Sequence, residues 1–206
     1  MLPQTLAFGD LIEFTFSGNV TSVDMNDGLF AAHPLASAQV GDPYTFTYRF
    51  ESSTPDSNGS ANTGEYHAVQ SARVTIDSAE FQYDTLSIQR IVAVNDATIA
   101  GDVYEVVLKG VDGATNVLDT DFALVDQEGG AFSSDALPTT LDLLPFETRV
   151  GAFGIQGVET TAGRGPFDAI QVNVNSFRSE VVPLPGGVLL ALTGLPLAVW
   201  LKRRLA

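Results

Sequence analysis

Apolar and polar residues alternate with a period of two along most of residues 10–180, the spacing of strands that bury one face. Ile12, Phe14 and Phe16 fall on one side of Leu11–Phe16, with Glu13 and Thr15 on the other. Over Pro43–Glu51, Tyr44, Phe46, Tyr48 and Phe50 alternate with Thr45, Thr47 and Arg49. The same rhythm runs through Ala72, Val74 and Ile76, through Tyr104, Val106 and Leu108, and through Ile170, Val172 and Val174. Thr85–Val94, Asp121–Val125 and Val150–Gln156 predict further strands. Between these runs stand turn formers: Asn26-Asp27-Gly28, Gly41-Asp42-Pro43, Asp56-Ser57-Asn58-Gly59, Asp112-Gly113 and Glu128-Gly129-Gly130. Gly supplies positive φ at little cost, and Asn or Asp bonds its own backbone.

About eight to ten short strands divided in this way predict an all-β fold, an antiparallel two-sheet β-sandwich or jelly roll over residues 10–175. Residues 51–64 read as a long polar surface loop, Gly163-Arg164-Gly165-Pro166 as another, and residues 176–181 as a linker. No repeat of fixed period is visible, and one domain accounts for the pattern.

The alternation stops near the C-terminus. Gly186–Leu201 is an uncharged run of 16 residues that ends at Lys202, Arg203 and Arg204. As a helix it would span about 24 Å, a little short of a hydrocarbon core of about 30 Å. Trp200 and the basic triplet suit an interfacial anchor, and the positive-inside rule puts the triplet in the cytoplasm. Immediately before the run stands Val182-Pro183-Leu184-Pro185-Gly186. This three-part order resembles the VPLPA-type sorting signal, a relative of the PEP-CTERM signals of Gram-negative bacteria, with Gly186 where the family usually has Ala. The resemblance covers residues 182–206. It implies a membrane helix at about 186–201, a basic stop at Lys202, Arg203 and Arg204, and processing near Pro183–Gly186 by an exosortase-like transpeptidase. It implies an exported protein, held transiently at the inner membrane with its C-terminus cytoplasmic and then released to the cell surface or medium. Such a route requires an export signal. Residues 1–9 lack a basic n-region and an apolar h-region, while Thr5-Leu6-Ala7 and Ala7-Phe8-Gly9 carry small residues spaced like a signal-peptidase site. They read as the remnant of a signal peptide, with a true start upstream.

Charge sharpens the division. All 25 acidic residues lie at or before Glu180, so residues 1–180 carry a net −18 and the tail +3. A body this negative repels phosphate backbones, which argues against a nucleic-acid partner. The acidity reads first as solubility and second as a demand for divalent cations. Cysteine is absent, which excludes disulfides, thiolate metal sites and Cys nucleophiles.

Candidate chemistry is sparse. His33 and His67 are the only histidines, there is no Gly-x-Ser-x-Gly elbow, and no phosphate-cradling glycine loop is present. Each histidine reads more readily as structural than as a base, so no catalytic residue is assigned. Asp24, Asn26 and Asp27 around Gly28 are the first candidates for calcium, and Asp119, Asp121 and Asp126 form a second acidic group. The four rings at Tyr44, Phe46, Tyr48 and Phe50 suit a core better than a sugar-stacking platform. The expectation is a noncatalytic surface or extracellular-matrix protein, with the inner membrane and the processing enzyme as partners. The rivals are a carbohydrate-binding module that contacts extracellular polysaccharide and, further off, a hydrolase.

Overall fold

The computed structural model describes residues 9–96, 101–112, 116–156 and 167–183. They form one antiparallel sheet of eleven strands: β1 (Leu11–Asp24), β2 (Pro43–Glu51), β3 (Thr63–Tyr66), β4 (Val69–Ile76), β5 (Ala79–Tyr83), β6 (Thr85–Asp96), β7 (Gly101–Val111), β8 (Val117–Asp126), β9 (Thr148–Gln156), β10 (Phe167–Asn173) and β11 (Ser176–Val182). The strand order is β3-β6-β7-β8-β9-β10-β1-β2-β4-β5, with β11 also paired to β1. Among the described residues the only helix is a short 3-10 turn at Pro34–Ser37. The expected C-terminal helix lies outside the described residues.

The connections explain how one sheet makes a sandwich-like body. β3 and β4 stand near opposite ends of the strand order, yet only His67 and Ala68 join them. Asp84 alone joins β5 to β6, again across the two ends. Links this short force the sheet to fold over until its ends meet. The bend falls in β1, whose Leu11–Asn19 segment pairs with β2. On its other edge, Leu11–Ser17 pairs with β11 and Val20–Asp24 with β10. A register shift between Val20 and Ser22 marks a β-bulge there, and bulges add bend and twist. Asparagines stitch the corner: Asn19 N–H donates to Asn173 Oδ1 at 2.8 Å, and Asn175 N–H to Ser17 O at 2.8 Å. Gly18 is required here, because a Cβ would strike the Asn173 carbonyl.

Folding over brings the inward faces together as an aromatic core. Tyr44, Phe46, Tyr48 and Phe50 are all buried, as the reading of them as core expected. Phe46 stacks on Phe122 across the fold at 4.7 Å between centroids, and Phe16 stacks on the same ring at 5.9 Å. Tyr44 meets Phe153 edge-on at 6.0 Å. Such pairs contribute about 0.5–1.5 kcal/mol each beyond their area. Two pairs of buried hydroxyls meet in it: Tyr48 with Tyr104, and Tyr83 with Thr120. Burial pushes the Tyr48, Tyr83 and Tyr104 phenols above their ordinary value, so these tips stay neutral in the core.

Three parts of the sequence reading differ: Thr63 and Gly64, expected within the polar loop, open β3. Residues 176–181, expected as a linker, belong to β11, whose seven residues pair with β1 from Ser17↔Ser176 to Leu11↔Val182. β5 was also not anticipated. Its Phe81 and Tyr83 face the core, while a five-residue strand is too short for its alternation to stand out.

Candidate functional site

Buried carboxylates anchor the loops at the strand ends. Asp168 is fully buried on β10 and accepts N–H bonds from Asp27 at 2.9 Å, Leu29 at 2.6 Å and Phe30 at 3.3 Å. Asp126, at the end of β8, accepts four: Glu128 and Gly129 on Oδ1, Gly130 and Ala131 on Oδ2. Burial acts to raise the Asp126 pKa, but the N–H groups of Gly130, Glu128, Ala131 and Gly129 overcome it and hold the carboxyl below its ordinary value. Directly across the ladder, buried Asp102 accepts from Phe132 N–H at 2.6 Å. Charged acceptors make the stronger hydrogen bonds, so these side chains fix loops that would otherwise bury unpaired N–H groups.

The calcium candidates belong to this scheme. Asp24 Oδ1 accepts from Asn26 Nδ2 at 2.6 Å, and Asp27 Oδ2 accepts from Phe167 N–H at 2.9 Å. Each of these two oxygens faces an N–H donor. Among the described residues no group of three or more His, Asp or Glu side chains is placed to hold a metal. The second acidic group is divided by strand alternation. Asp119 and Asp121 stand on the outer face of β8, whereas Asp126 closes its inner face.

Both histidines have structural contacts. His33 caps the 3-10 turn, its Nδ1 accepting from Leu35 N–H at 3.1 Å. The ring stacks on Phe81 at 4.9 Å and meets Phe30 edge-on at 5.0 Å. Burial lowers the His33 pKa from 6.5 to about 4, against the attraction of Asp112, so the ring is neutral at pH 7. His67 lies in the link between β3 and β4. Its Nδ1 donates to Gln89 O at 2.9 Å, and Nε2 lies 3.4 Å from Glu65 Oε1.

Two adjoining hollows lie on the outer face of β6–β10. One hollow of about 390 Å³ is bounded by Ile88, Lys109, Asp119, Asp121, Gly154 and Phe167. A second, of about 310 Å³, shares Asp121 and Ala152 with it and extends toward Thr21, Val150 and Gln171. Small residues lower the floor: Ala123, Ala152 and Gly154 point outward between taller neighbours. Phe167 is 49% exposed and lies over Gly154, 2.8 Å from where a Cβ would sit. Lys109 pairs with Asp119 at 3.2 Å and Arg90 with Glu105 at 3.4 Å. Burial raises the Asp121 carboxyl; burial and then the Asp121 charge raise Glu105, each against the pull of Arg90. The groove was not singled out from sequence. Its only trace there is the outward half of the alternation, where Ala and Gly replace the usual Thr or charged residue.

Comparisons with family models, with curated proteins and with solved structures returned no match. No helix among the described residues is long and apolar enough to cross a membrane, and Leu184–Ala206, with most of the processing segment and the basic stop, lies outside them.

Proposed function

We propose that this chain is a noncatalytic exported protein of the cell surface or extracellular matrix, retained at the inner membrane and then processed within Val182–Gly186. The folded-over sheet is read as a two-layer sandwich or jelly roll that forms the exported part. One observation carries the proposal: the Val182-Pro183-Leu184-Pro185 segment, the apolar run and Lys202-Arg203-Arg204 follow one another directly where β11 ends. Pro183 is exposed just past the last paired residue, and proline cannot donate to a ladder. Pro183 ends the ladder at Val182, so the last paired residue directly adjoins the segment on which a membrane transpeptidase would act. Mass spectrometry of the mature C-terminus in a Gram-negative host carrying the processing enzyme tests this. The expected product ends between Val182 and Gly186. An exported chain that still yields a Leu205-Ala206 terminus would overturn it.

A second reading has its own observation. The half-exposed Phe167 ring beside Lys109, Asp119 and Asp121 offers a stacking face with hydrogen-bonding groups, the combination a saccharide chain uses. On this reading the outer groove contacts extracellular polysaccharide.

A further inference from the structure

We infer that β11 is a self-complementary edge through which two copies of this chain join, pairing antiparallel about Ser179. One edge of β11 is bonded to β1 along all seven residues. Its other edge has no backbone partner among the described residues. The loop before β9 meets it through Ser179 Oγ and Thr140 Oγ1 at 3.4 Å, a contact between side chains. The other terminal strands are poorer candidates. β3 has four residues, and β5 is flanked by the 3-10 turn whose cap, His33, stacks on Phe81.

An open edge is a template for another strand, and natural proteins guard such edges with charge. Here the charges select a partner. β11 reads Ser176-Phe177-Arg178-Ser179-Glu180-Val181-Val182. Antiparallel pairing centred on Ser179 sets Arg178 opposite Glu180 of the second copy, and Glu180 opposite its Arg178. Phe177 then faces Val181, which is 61% exposed in the single chain. Pairing that keeps the inner faces on one side can slip only in steps of two, because side chains alternate. One such slip puts Arg178 against Arg178, and the other puts Glu180 against Glu180. Opposite charges across a ladder stabilise and like charges destabilise, so one register is selected. Arg178 and Glu180 form an ion pair with each other in the single chain and are well exposed, which leaves both able to exchange partners. Phe177 is held in place by Phe14, edge-on at 4.7 Å.

The result is an isologous dimer in which two β5-β4-β2-β1-β11 halves become one continuous sheet. The net −18 of residues 1–180 opposes the approach of two bodies, so association should strengthen as moderate salt screens that repulsion. This inference does not depend on tail processing.

Sedimentation equilibrium of the full chain in a mild nonionic detergent tests it, with Arg178→Glu and the exchanged pair Arg178→Glu/Glu180→Arg beside the unaltered chain. The unaltered chain should dimerise. Arg178→Glu, which sets Glu against Glu twice, should weaken the dimer by about tenfold or more. The exchanged pair restores complementarity and should restore the dimer. Both positions are exposed, and circular dichroism confirms that each variant is folded. Because the chain has no cysteine, Ser179→Cys should oxidise to a covalent dimer while Ser78→Cys, at the exposed β4–β5 turn, should not. Equal association of all three chains, or monomers throughout, would overturn the inference.

Discussion

Acidification from pH 7 to pH 4 should destabilise the fold through His33. The neutral ring lies between Phe30 and Phe81, 5% exposed, and its Nδ1 already accepts the Leu35 N–H. The proton of the neutral ring therefore sits on Nε2, which has no partner in the described structure. Protonating the ring would bury a charge and remove the cap acceptor at once. Burial, only partly offset by Asp112, lowers the pKa from 6.5 to about 4. A lowered folded-state pKa means that the unfolded chain takes up the proton first. The stability is thus complete above about pH 6.5 and is lost as the pH falls through about 4. A shift of that size corresponds to about 3 kcal/mol, and about 2 kcal/mol after allowing for solvent at the ring edge. Urea unfolding followed by circular dichroism at half-unit pH steps measures it, with His33→Asn as the comparison. Asn keeps a capping acceptor and cannot titrate, so its curve should be flatter by that amount between pH 6.5 and 4. At pH 7 the variant should be weaker by about 1–3 kcal/mol through lost ring packing. Carboxylate titrations common to both chains cancel in the difference. Parallel curves for the two proteins, or a His33 ring proton that titrates near 6.5, would refute the reasoning.

Two further predictions concern a buried acceptor and two close-packed glycines. Asp168→Ala leaves the N–H groups of Asp27, Leu29 and Phe30 without their acceptor and should cost about 3–5 kcal/mol. Amide hydrogen exchange should accelerate first at those three residues, and uniform acceleration across the sheet would contradict the anchoring role. At Gly151 an added Cβ would lie 2.6 Å from the Phe122 ring, which the core locks, whereas at Gly154 it would meet the half-exposed Phe167 at 2.8 Å. Gly151→Ala should therefore destabilise by about 1–3 kcal/mol, and Gly154→Ala by under about 0.5 kcal/mol as Phe167 swings aside. Thermal or urea unfolding that ranks the two the other way would show that the rings are not placed as described.

The strands that were legible in the sequence are those with one wet face. Pro43–Glu51 alternates rings with Thr and Arg, and its expected limits match β2. β11 was missed because Arg178, Glu180 and Val182 face outward while Ser179 dilutes its inner side, so Phe177 alone could not mark a strand. Pairing with β1 holds it, a long-range cause with no local sign. The same holds for the fold-over. Nothing local indicates that His67 and Ala68 join opposite ends of one sheet, and an expectation of two sheets is the natural result of reading strands without their order. The tail is set apart in the sequence by a change in composition, and all of it beyond Pro183 lies outside the described residues. The outer groove depends on which strands adjoin, since Ala123, Ala152 and Gly154 form a floor only once β8 lies beside β9.

The acidic composition illustrates why a charge count underdetermines function. Read as a total, it suggested solubility or a cation, and neither accounts for Asp102, Asp126 and Asp168, which are buried. Each sits at a strand end and receives backbone N–H groups from a loop that must turn without a strand partner. A lysine or a metal at such a point would compete with those donors. Three surface carboxylates follow a different logic, paired with Arg or Lys of the neighbouring strand at Glu13–Arg49, Glu105–Arg90 and Asp119–Lys109. Glu180 stands opposite Glu13 and pairs with Arg178 of its own strand. In β11 this cross-ladder logic is left open on one side, and a second copy of the same chain carries the groups that complete it.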